Sequence, residues 1–279
     1  MEKNQLEATK EFKYESYIPQ EDGSLAFTIQ EDDIWHRLYE QQIEVIKGRA
    51  CREYIQGLED LNLSNQRVPY PVEVTKTLKK YTGWIAKPVP AVIGPREFFT
   101  ILSEKQFPCA CFIRREEDFY YIKEPDIFHE VFGHMPLLTN KHYADFVQEY
   151  GRFALTCDKS EWKYLFRLFW FTVEFGLIKT SEGDRIYGGG ILSSIGETKT
   201  ALKNPNVEYI DFDILTCFRT PYRIDIPQTL YFKIESFEQL YKSLQVDLKQ
   251  LIVQAKELGD ITPKFTPVDG KGDELEYTN

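Results

Sequence analysis

The sequence predicts a mainly α-helical single domain carrying a small β element. Three observations lead there. A chain of 279 residues with 42% hydrophobic side chains can bury a full core. Apolar residues recur at three- to four-residue spacing over most of its length. The β-branched and aromatic runs that could form strands are short and few.

Taken in order, residues 1 to about 25 are polar and read as an arm. Over 31–57, Trp35, Leu38, Tyr39, Ile43, Ile46, Ala50 and Tyr54 keep helical spacing, which predicts one amphipathic helix stopping near Gly57. A proline-rich break at 68–71 precedes a short helix over 73–81, ended by Gly83. Pro88, Pro90 and Pro95 exclude a long helix over 87–95 and suggest an extended, shaped loop. Helical character returns over 97–103. The runs 109–114 (CACFIR) and 119–122 (FYYI) predict a small strand pair.

Pro125 and Asp126 open a helix carrying residues 129–134, the proline in the first turn and the acid near the positive end of the dipole. Two further helices are expected over 142–155 and 161–179. A glycine-rich turn region follows over 183–196, and 222–234 looks partly extended. Apolar positions from 237 to 258 step by three or four, predicting one helix of about six turns over 235–258. The expected domain is therefore 26–260, followed by a mobile acidic tail over 261–279.

Composition narrows function. With 34 Lys+Arg against 44 Asp+Glu the net charge is −10, which argues against a general nucleic-acid binder and favours a small neutral, zwitterionic or cationic ligand. The first residues lack the apolar segment of a secretory signal, and Arg167 and Glu174 interrupt the most apolar stretch, so no membrane span is expected. Five scattered cysteines make a poor disulfide framework and suggest reduced, buried thiols in the cytoplasm.

Only four histidines occur, and His129 and His134 fall in one twelve-residue window. Five residues apart on a continuous α-helix, their rings diverge by about 140°. Both face one ion only if the helix loosens or ends between them, as Gly133 and Pro136 would allow. Otherwise His129 is a core histidine and His134 a helix-end residue.

Glu174, within an apolar helix face shared with Phe166 and Trp170, must be paired, protonated or bound to a cation if buried. Arg167 is the ordinary partner. Two histidines and one carboxylate would otherwise make the facial triad of non-haem Fe(II) oxygenases, with Asp126 orienting the His129 ring from behind. The same atoms also suit a zinc metallopeptidase, with Glu130 as general base and Glu174 as third ligand.

The segment Pro125-Asp-Ile-Phe-His-Glu-Val-Phe-Gly-His-Met-Pro136 resembles the iron-binding signature of the pterin-dependent aromatic amino acid hydroxylases. Residues 170–177 (WFTVEFGL), 188–197 (GGGILSSIGE), 87–98 (KPVPAVIGPREF) and 112–114 (FIR) resemble further segments of that family, in order, so the resemblance spans about 25–235. The chain is similar to the family's short bacterial members, the phenylalanine 4-hydroxylases. The resemblance implies a single catalytic domain of that type, with His129, His134 and Glu174 as iron ligands and Glu130 and Asp126 in the catalytic machinery. Arg114 would grip the substrate carboxylate, supported by Ser193 and Asp126, while Pro125 and Trp170 wall the aromatic ring. Val92, Ile93 and Phe98 would form the pterin site, Phe98 by stacking, with Glu130 at the pterin edge. Pro95, Pro108, Ile122 and Phe169 depart from the animal pattern.

The implied activity is a monooxygenase converting L-phenylalanine to L-tyrosine with Fe(II), O2 and a tetrahydrobiopterin-like tetrahydropterin. It would serve phenylalanine catabolism and tyrosine biosynthesis, act as monomer or homodimer, and depend on a separate pterin recycling enzyme. Tryptophan or tyrosine hydroxylation remains the alternative within the family.

Overall fold

Thr28 sets the start of the first long helix. In the computed structural model, which describes residues 13–90 and 92–266, its hydroxyl accepts from the Glu31 N–H and the Glu31 carboxylate accepts from the Thr28 N–H. Helix α1 then runs Ile29–Ile46. The chain turns at Gly48, where φ is +68°, and α2 begins anew as Arg52–Leu61. The single helix expected over 31–57 is thus two. Ala50, which keeps helical spacing, lies instead with Cys51 in a link whose Cys51 N–H donates to the Ile186 carbonyl at 2.8 Å.

Helix α3 (Pro71–Tyr81) starts on the last proline of the expected break, two residues before 73, and stops before Gly83 as expected. The proline-rich stretch after it begins as a strand, β1 (Ile85–Val89), and crosses through α4 (Pro95–Ser103) to β2 (Gln106–Ala110), which pairs with it in parallel. Pro88 and Pro108 are tolerated because each strand of this two-stranded sheet has an unpaired edge. Of the strand pair expected over 109–114 and 119–122, only residues 109 and 110 are strand, at the end of β2, and 119–122 form none. Residues Glu116–Asp118 make a 3-10 turn, and the Arg37 guanidinium lies 4.8 Å from the buried Phe119 ring. That run of aromatics served a turn, not a sheet.

Next come a π-helix over Phe128–His134, a 3-10 turn over Met135–Thr139 and α5 (Lys141–Ala154). The helix expected over 161–179 is α-helical only as α6 (Trp162–Phe169). It continues as a π-turn, Trp170–Glu174, and ends before β3 (Leu177–Ile178). The glycine-rich region holds β4 (Arg185–Ile186), α7 (Gly189–Leu192) and α8 (Ile195–Thr200). Strand β5 (Glu208–Asp211), which the sequence reading did not mark, precedes α9 (Ile214–Arg219) and β6 (Leu230–Ile234). Together these strands form a mixed sheet in the order β4-β3-β6-β5.

The long helix expected over 235–258 is also two, α10 (Phe237–Lys242) and α11 (Leu248–Leu258). Apolar spacing runs unbroken through the junction, but the Asp247 carboxylate accepts from the Gln250 N–H at 3.0 Å and caps a new start.

One continuous apolar cluster reaches from α1 to α11, with a small satellite of Tyr14, Ala110 and Phe112. Within the segment read as an arm, Tyr14 stacks on Phe112 at 4.9 Å and the Tyr17 N–H donates to the Cys111 carbonyl. Of the expected tail, residues 267–279 lie outside the described residues. Among the described residues no helix is long and apolar enough to cross a membrane.

Helix α2 meets the 135–139 turn at Gly57, where a Cβ would fall 2.0 Å from the Pro136 carbonyl oxygen. A glycine inside a helix is itself unfavourable, so its place here is set by that approach. Gly57→Ala is expected to destabilise the protein by about 1–3 kcal/mol through overpacking, read as a lower midpoint in urea unfolding.

Candidate functional site

The five-residue spacing of the two histidines is resolved by the backbone. Residues Phe128–His134 wind as a π-helix, in which hydrogen bonds close five residues apart and bring side chains at that spacing onto one side. His129 Nε2 and His134 Nε2 consequently lie 3.0 Å apart, with the rings at 78°. The helix does loosen, as the metal reading requires, but the whole turn widens; it does not end between the histidines. A second π-turn, closed by the Phe175 N–H on the Trp170 carbonyl at 2.8 Å, swings Glu174 to the same point. Its Oε1 is 3.3 Å from His134 Nε2 and its Oε2 is 3.7 Å from His129 Nε2.

Helix α7 packs directly over these groups. A Cβ on Gly189 would lie 2.3 Å from His134 Nδ1, and one on Gly190 would lie 2.8 Å from Glu174 Oε2. Only glycine lets the backbone come this close. Ser193, one turn on, places its hydroxyl 2.9 Å from His129 Nδ1, and the Phe107 ring from β2 covers His134 at 4.9 Å. The open side of the set faces His129 and Glu174, whose side chains are 19% and 15% exposed against 1% for His134.

Two alternatives weighed on the sequence fall away. Arg167 does not pair with Glu174: its guanidinium donates to the Phe218 carbonyl and to both carboxylate oxygens of Asp260, each at 2.8 Å. Asp126 does not touch the His129 ring. Its Oδ1 accepts from the His129 backbone N–H at 3.0 Å, and the carboxylate takes Arg114 Nε at 2.8 Å and Nη2 at 2.9 Å. Ser193 is the partner of the ring.

Burial, opposed by the nearby Glu174 charge, pushes the His129 imidazole down to about 4, so it is neutral at pH 7. For Glu174 burial pulls upward, but the His134 and His129 rings outweigh it and the carboxyl stays below its ordinary value. A neutral His129 imidazole and an ionised Glu174 carboxylate are the forms in which those groups bind a metal. Bare nitrogens 3.0 Å apart repel unless a proton or a cation lies between them, and this donor set with an open side suits a non-haem iron. The residues therefore fit the metal implied by the resemblance.

Glu130 also lies here, its carboxyl grouped with the two histidines within 4.8 Å. Burial, and then the charges of Glu174 and Asp126, push it well above the carboxylate range. Asp126 is held low by Arg114 despite its own burial.

Trp170 opens the second π-turn. Its indole lies against Tyr222 at 4.4 Å and Phe175 at 4.5 Å and donates its N–H to Gln228 Oε1 at 2.9 Å. Pro125 is half-buried just before Asp126. Farther off, on α4 and the loop before it, Phe98 stands half-buried and edge-on to Phe169 at 5.1 Å, with Ile93 half-buried and Val92 exposed. Of the departures, Pro95 begins α4, Phe169 packs between Phe98 and Tyr150, Pro108 pairs in register with Lys87, and Ile122 packs on the Tyr14 satellite.

The structure thus joins His129, His134, Glu174, Glu130, Asp126, Arg114 and Ser193 into one group. No hydrogen bond or ring contact among the described residues links Val92, Ile93 or Phe98 to it. Gln228, Tyr222 and Phe107 were missed on sequence; all are common residue types, and no local pattern marked them.

A family described as biopterin-dependent aromatic amino acid hydroxylase matches residues 2–255. The phenylalanine-4-hydroxylase of Pseudomonas aeruginosa is 44% identical over 258 residues, covering 92% of this chain and 98% of that protein. Among solved structures, the apo form of the cold-active phenylalanine hydroxylase from Colwellia psychrerythraea superposes with a TM-score of 0.88 at 48% identity, covering 90% of this chain and 97% of that one. Phenylalanine hydroxylase from Chromobacterium violaceum, solved with iron(III) and oxidised 7,8-dihydrobiopterin, gives 0.83 at 35% identity, covering 91% of each chain.

Two tests follow from the geometry. Ser193→Ala should weaken Fe(II) binding by about 10–100-fold, the usual effect of losing the partner of a metal-binding imidazole, measured by anaerobic calorimetry. For the metal-free protein in EDTA, the depressed His129 value makes the unfolded chain bind more protons than the folded one between about pH 6.5 and 4. Stability is therefore full above pH 6.5 and falls as pH drops through that window. At pH 5 urea unfolding should show about 2 kcal/mol lost relative to pH 7, and His129→Ala should abolish that share of the slope.

Proposed function

Since the chain belongs to the biopterin-dependent aromatic amino acid hydroxylases, we propose that it converts L-phenylalanine to L-tyrosine with O2, Fe(II) and a tetrahydropterin. The observation that carries this is the meeting of His129 Nε2, His134 Nε2 and Glu174 on one open-sided point, beside the Arg114–Asp126 pair. The relatives found by sequence and by structure bear the same activity in their names. Tryptophan or tyrosine hydroxylation is not favoured. Nor is peptide hydrolysis, since the relatives by sequence and by structure are phenylalanine hydroxylases.

His129, His134 and Glu174 would hold the iron, and a set of only three protein ligands would leave room for the other reactants. When bound, iron is where O2 is activated and the tetrahydropterin supplies two electrons, so that one oxygen atom reaches the para carbon of the substrate ring. The chain's own task is to bind, orient and exclude water.

Arg114 has five N–H donors. Two go to Asp126 and one reaches toward the Phe119 carbonyl at 3.5 Å, leaving two at the far edge of the guanidinium for the amino acid carboxylate. Asp126 fixes that edge, and through the His129 N–H it ties the carboxylate site to the metal turn. Trp170 and Pro125 wall the aromatic ring. Phe98 stacks on the pterin, flanked by Val92 and Ile93, with Glu130 at the pterin edge.

The finer features of the reading have their own support. Residues 26–260 form the catalytic unit, between an arm over 1–25 and a tail over 261–279. All five cysteines are free and buried, which suits a reducing cytoplasm. A pterin oxidised in each turnover needs a separate reductase to restore it, and the enzyme acts as a monomer or homodimer.

The test is tyrosine formation from L-phenylalanine by purified protein with Fe(II) and tetrahydropterin, each omitted in turn and with EDTA as control. Tyrosine is expected only when both are present; its absence there, or its appearance without either, overturns the reading. In the same assay Arg114→Ala should raise the KM for L-phenylalanine by about tenfold or more, the range for losing a charged hydrogen-bond partner.

A further inference from the structure

The indole of Trp170 is held in a way that its stacking contacts alone do not explain. Tyr222 lies nearly parallel to it, at 4.4 Å and 17°, and Phe175 tilts against it at 4.5 Å and 35°. Ring contacts of this kind tolerate sliding and in-plane rotation, because they lack a directional bond. The direction comes from the N–H, which donates to Gln228 Oε1 at 2.9 Å.

Gln228 is itself pinned. Its Nε2 donates to the carbonyls of Arg223 at 3.1 Å and Ile226 at 3.4 Å, and its backbone N–H donates to Glu197 Oε1 at 3.3 Å. Glu197 is fixed in turn by the Tyr231 hydroxyl on Oε2 at 2.8 Å. A donor on one side of the amide and two acceptors on the other admit only one orientation of the group. The side chain is 7% exposed, so water competes poorly for the indole N–H.

We infer that Gln228 is a positioning residue for the substrate's aromatic side chain: it fixes the plane of the Trp170 indole, and through that plane sets the preference for a phenyl ring over a larger indole. This rests on the reading of Trp170 as the wall of the ring pocket. The wall also belongs to the π-turn that ends at Glu174, so its tilt is registered to the metal site by four residues of backbone. An apolar residue at 228 leaves a buried N–H without a partner. The indole then turns to find one, phenylalanine loses a close-fitting surface, and a bulkier ring gains room.

The experiment is a double-mutant cycle on the iron- and pterin-loaded enzyme with Gln228→Leu, Trp170→Phe and the pair. L-phenylalanine and L-tryptophan are the substrates, and L-phenylalanine binding is measured separately by calorimetry. Gln228→Leu should raise the KM and Kd for L-phenylalanine by about two- to tenfold, the span of one neutral hydrogen bond, with kcat changed less than about twofold. The preference for L-phenylalanine over L-tryptophan should fall by a similar factor. With Trp170→Phe, which removes the N–H but keeps a ring, adding Gln228→Leu should change neither quantity further.

A purely structural role for Gln228 would leave its effect intact in the Trp170→Phe background, and that result overturns the inference. So does wild-type KM and preference in Gln228→Leu. Gln228→Glu guards against a variant that merely unfolds. It keeps an acceptor for the indole while losing the two bonds made by Nε2, and should show a lowered melting temperature with KM close to wild type. A rise in its KM equal to that of Gln228→Leu also overturns the inference. Wild-type turnover of L-phenylalanine is the control that separates the two claims: if it is absent the proposed activity falls, and if it is present with Gln228→Leu silent only the role of Gln228 does.

Discussion

Everything at the candidate site depends on residues five apart in sequence being brought to one point. An α-helix cannot do this for His129 and His134, and a π-turn can. The same device recurs at Trp170–Glu174, so all three proposed metal ligands stand on widened turns. Such turns are rare because they forgo α-helical hydrogen bonding, and here packing holds them open. The Gly189 and Gly190 backbone lies against the His134 ring and the Glu174 carboxylate, and a Cβ on Gly133 would lie 2.7 Å from the Gly189 carbonyl oxygen. The glycine-rich segment and the two π-turns therefore depend on one another.

That dependence explains what could be read in the sequence. The histidine pair was legible because histidine is scarce in this chain, and Glu174 because a carboxylate among Phe and Trp residues demands a partner. The resemblance added Arg114, Ser193, Trp170 and the loop before α4. The π-turns themselves were not legible: spacing shows only that an α-helix would fail, not what replaces it. Ser193 was named for the substrate carboxylate, yet in the fold it meets the His129 ring across 64 residues of sequence. Gln228 reaches Trp170 across 58. Contacts of that range depend on the order of strands and helices, which periodicity does not encode.

The same limit appears in the fold. Apolar spacing runs without interruption from α1 into α2, where Ala50 and Cys51 of the link are buried, and from α10 into α11, where Leu244 of the link is half-buried. The breaks are made by local chemistry, a positive φ at Gly48 and a carboxylate cap at Asp247. These are signals of one or two residues set against a pattern of twenty. Where local and periodic signals agreed, as for α3 with its leading proline and trailing glycine, the expectation and the structure coincide. The aromatic run 119–122 misled, since it formed a turn and not the expected strand.

The electrostatics follow from how each buried charge is answered. Asp126 is fully buried and remains ionised because Arg114 supplies two hydrogen bonds and a full positive charge. Beside two imidazoles the Glu174 carboxyl stays below its ordinary value, whereas burial and then two neighbouring carboxylates push Glu130 well above its own. Two of the three acids are thus shifted down and one up, each by its neighbours. Arg114, Asp126, Ser193 and Trp170 are all hydrogen-bonded before any ligand arrives. Binding there requires few side chains to be immobilised anew, which lowers the cost of association and directs binding energy toward orientation. The residues proposed for the pterin differ: Val92 is exposed, and Phe98 lies half-buried against the rings of Phe99, Phe166 and Phe169. The proposed substrate residues are thus built into the core, and the proposed cofactor residues lie nearer its surface.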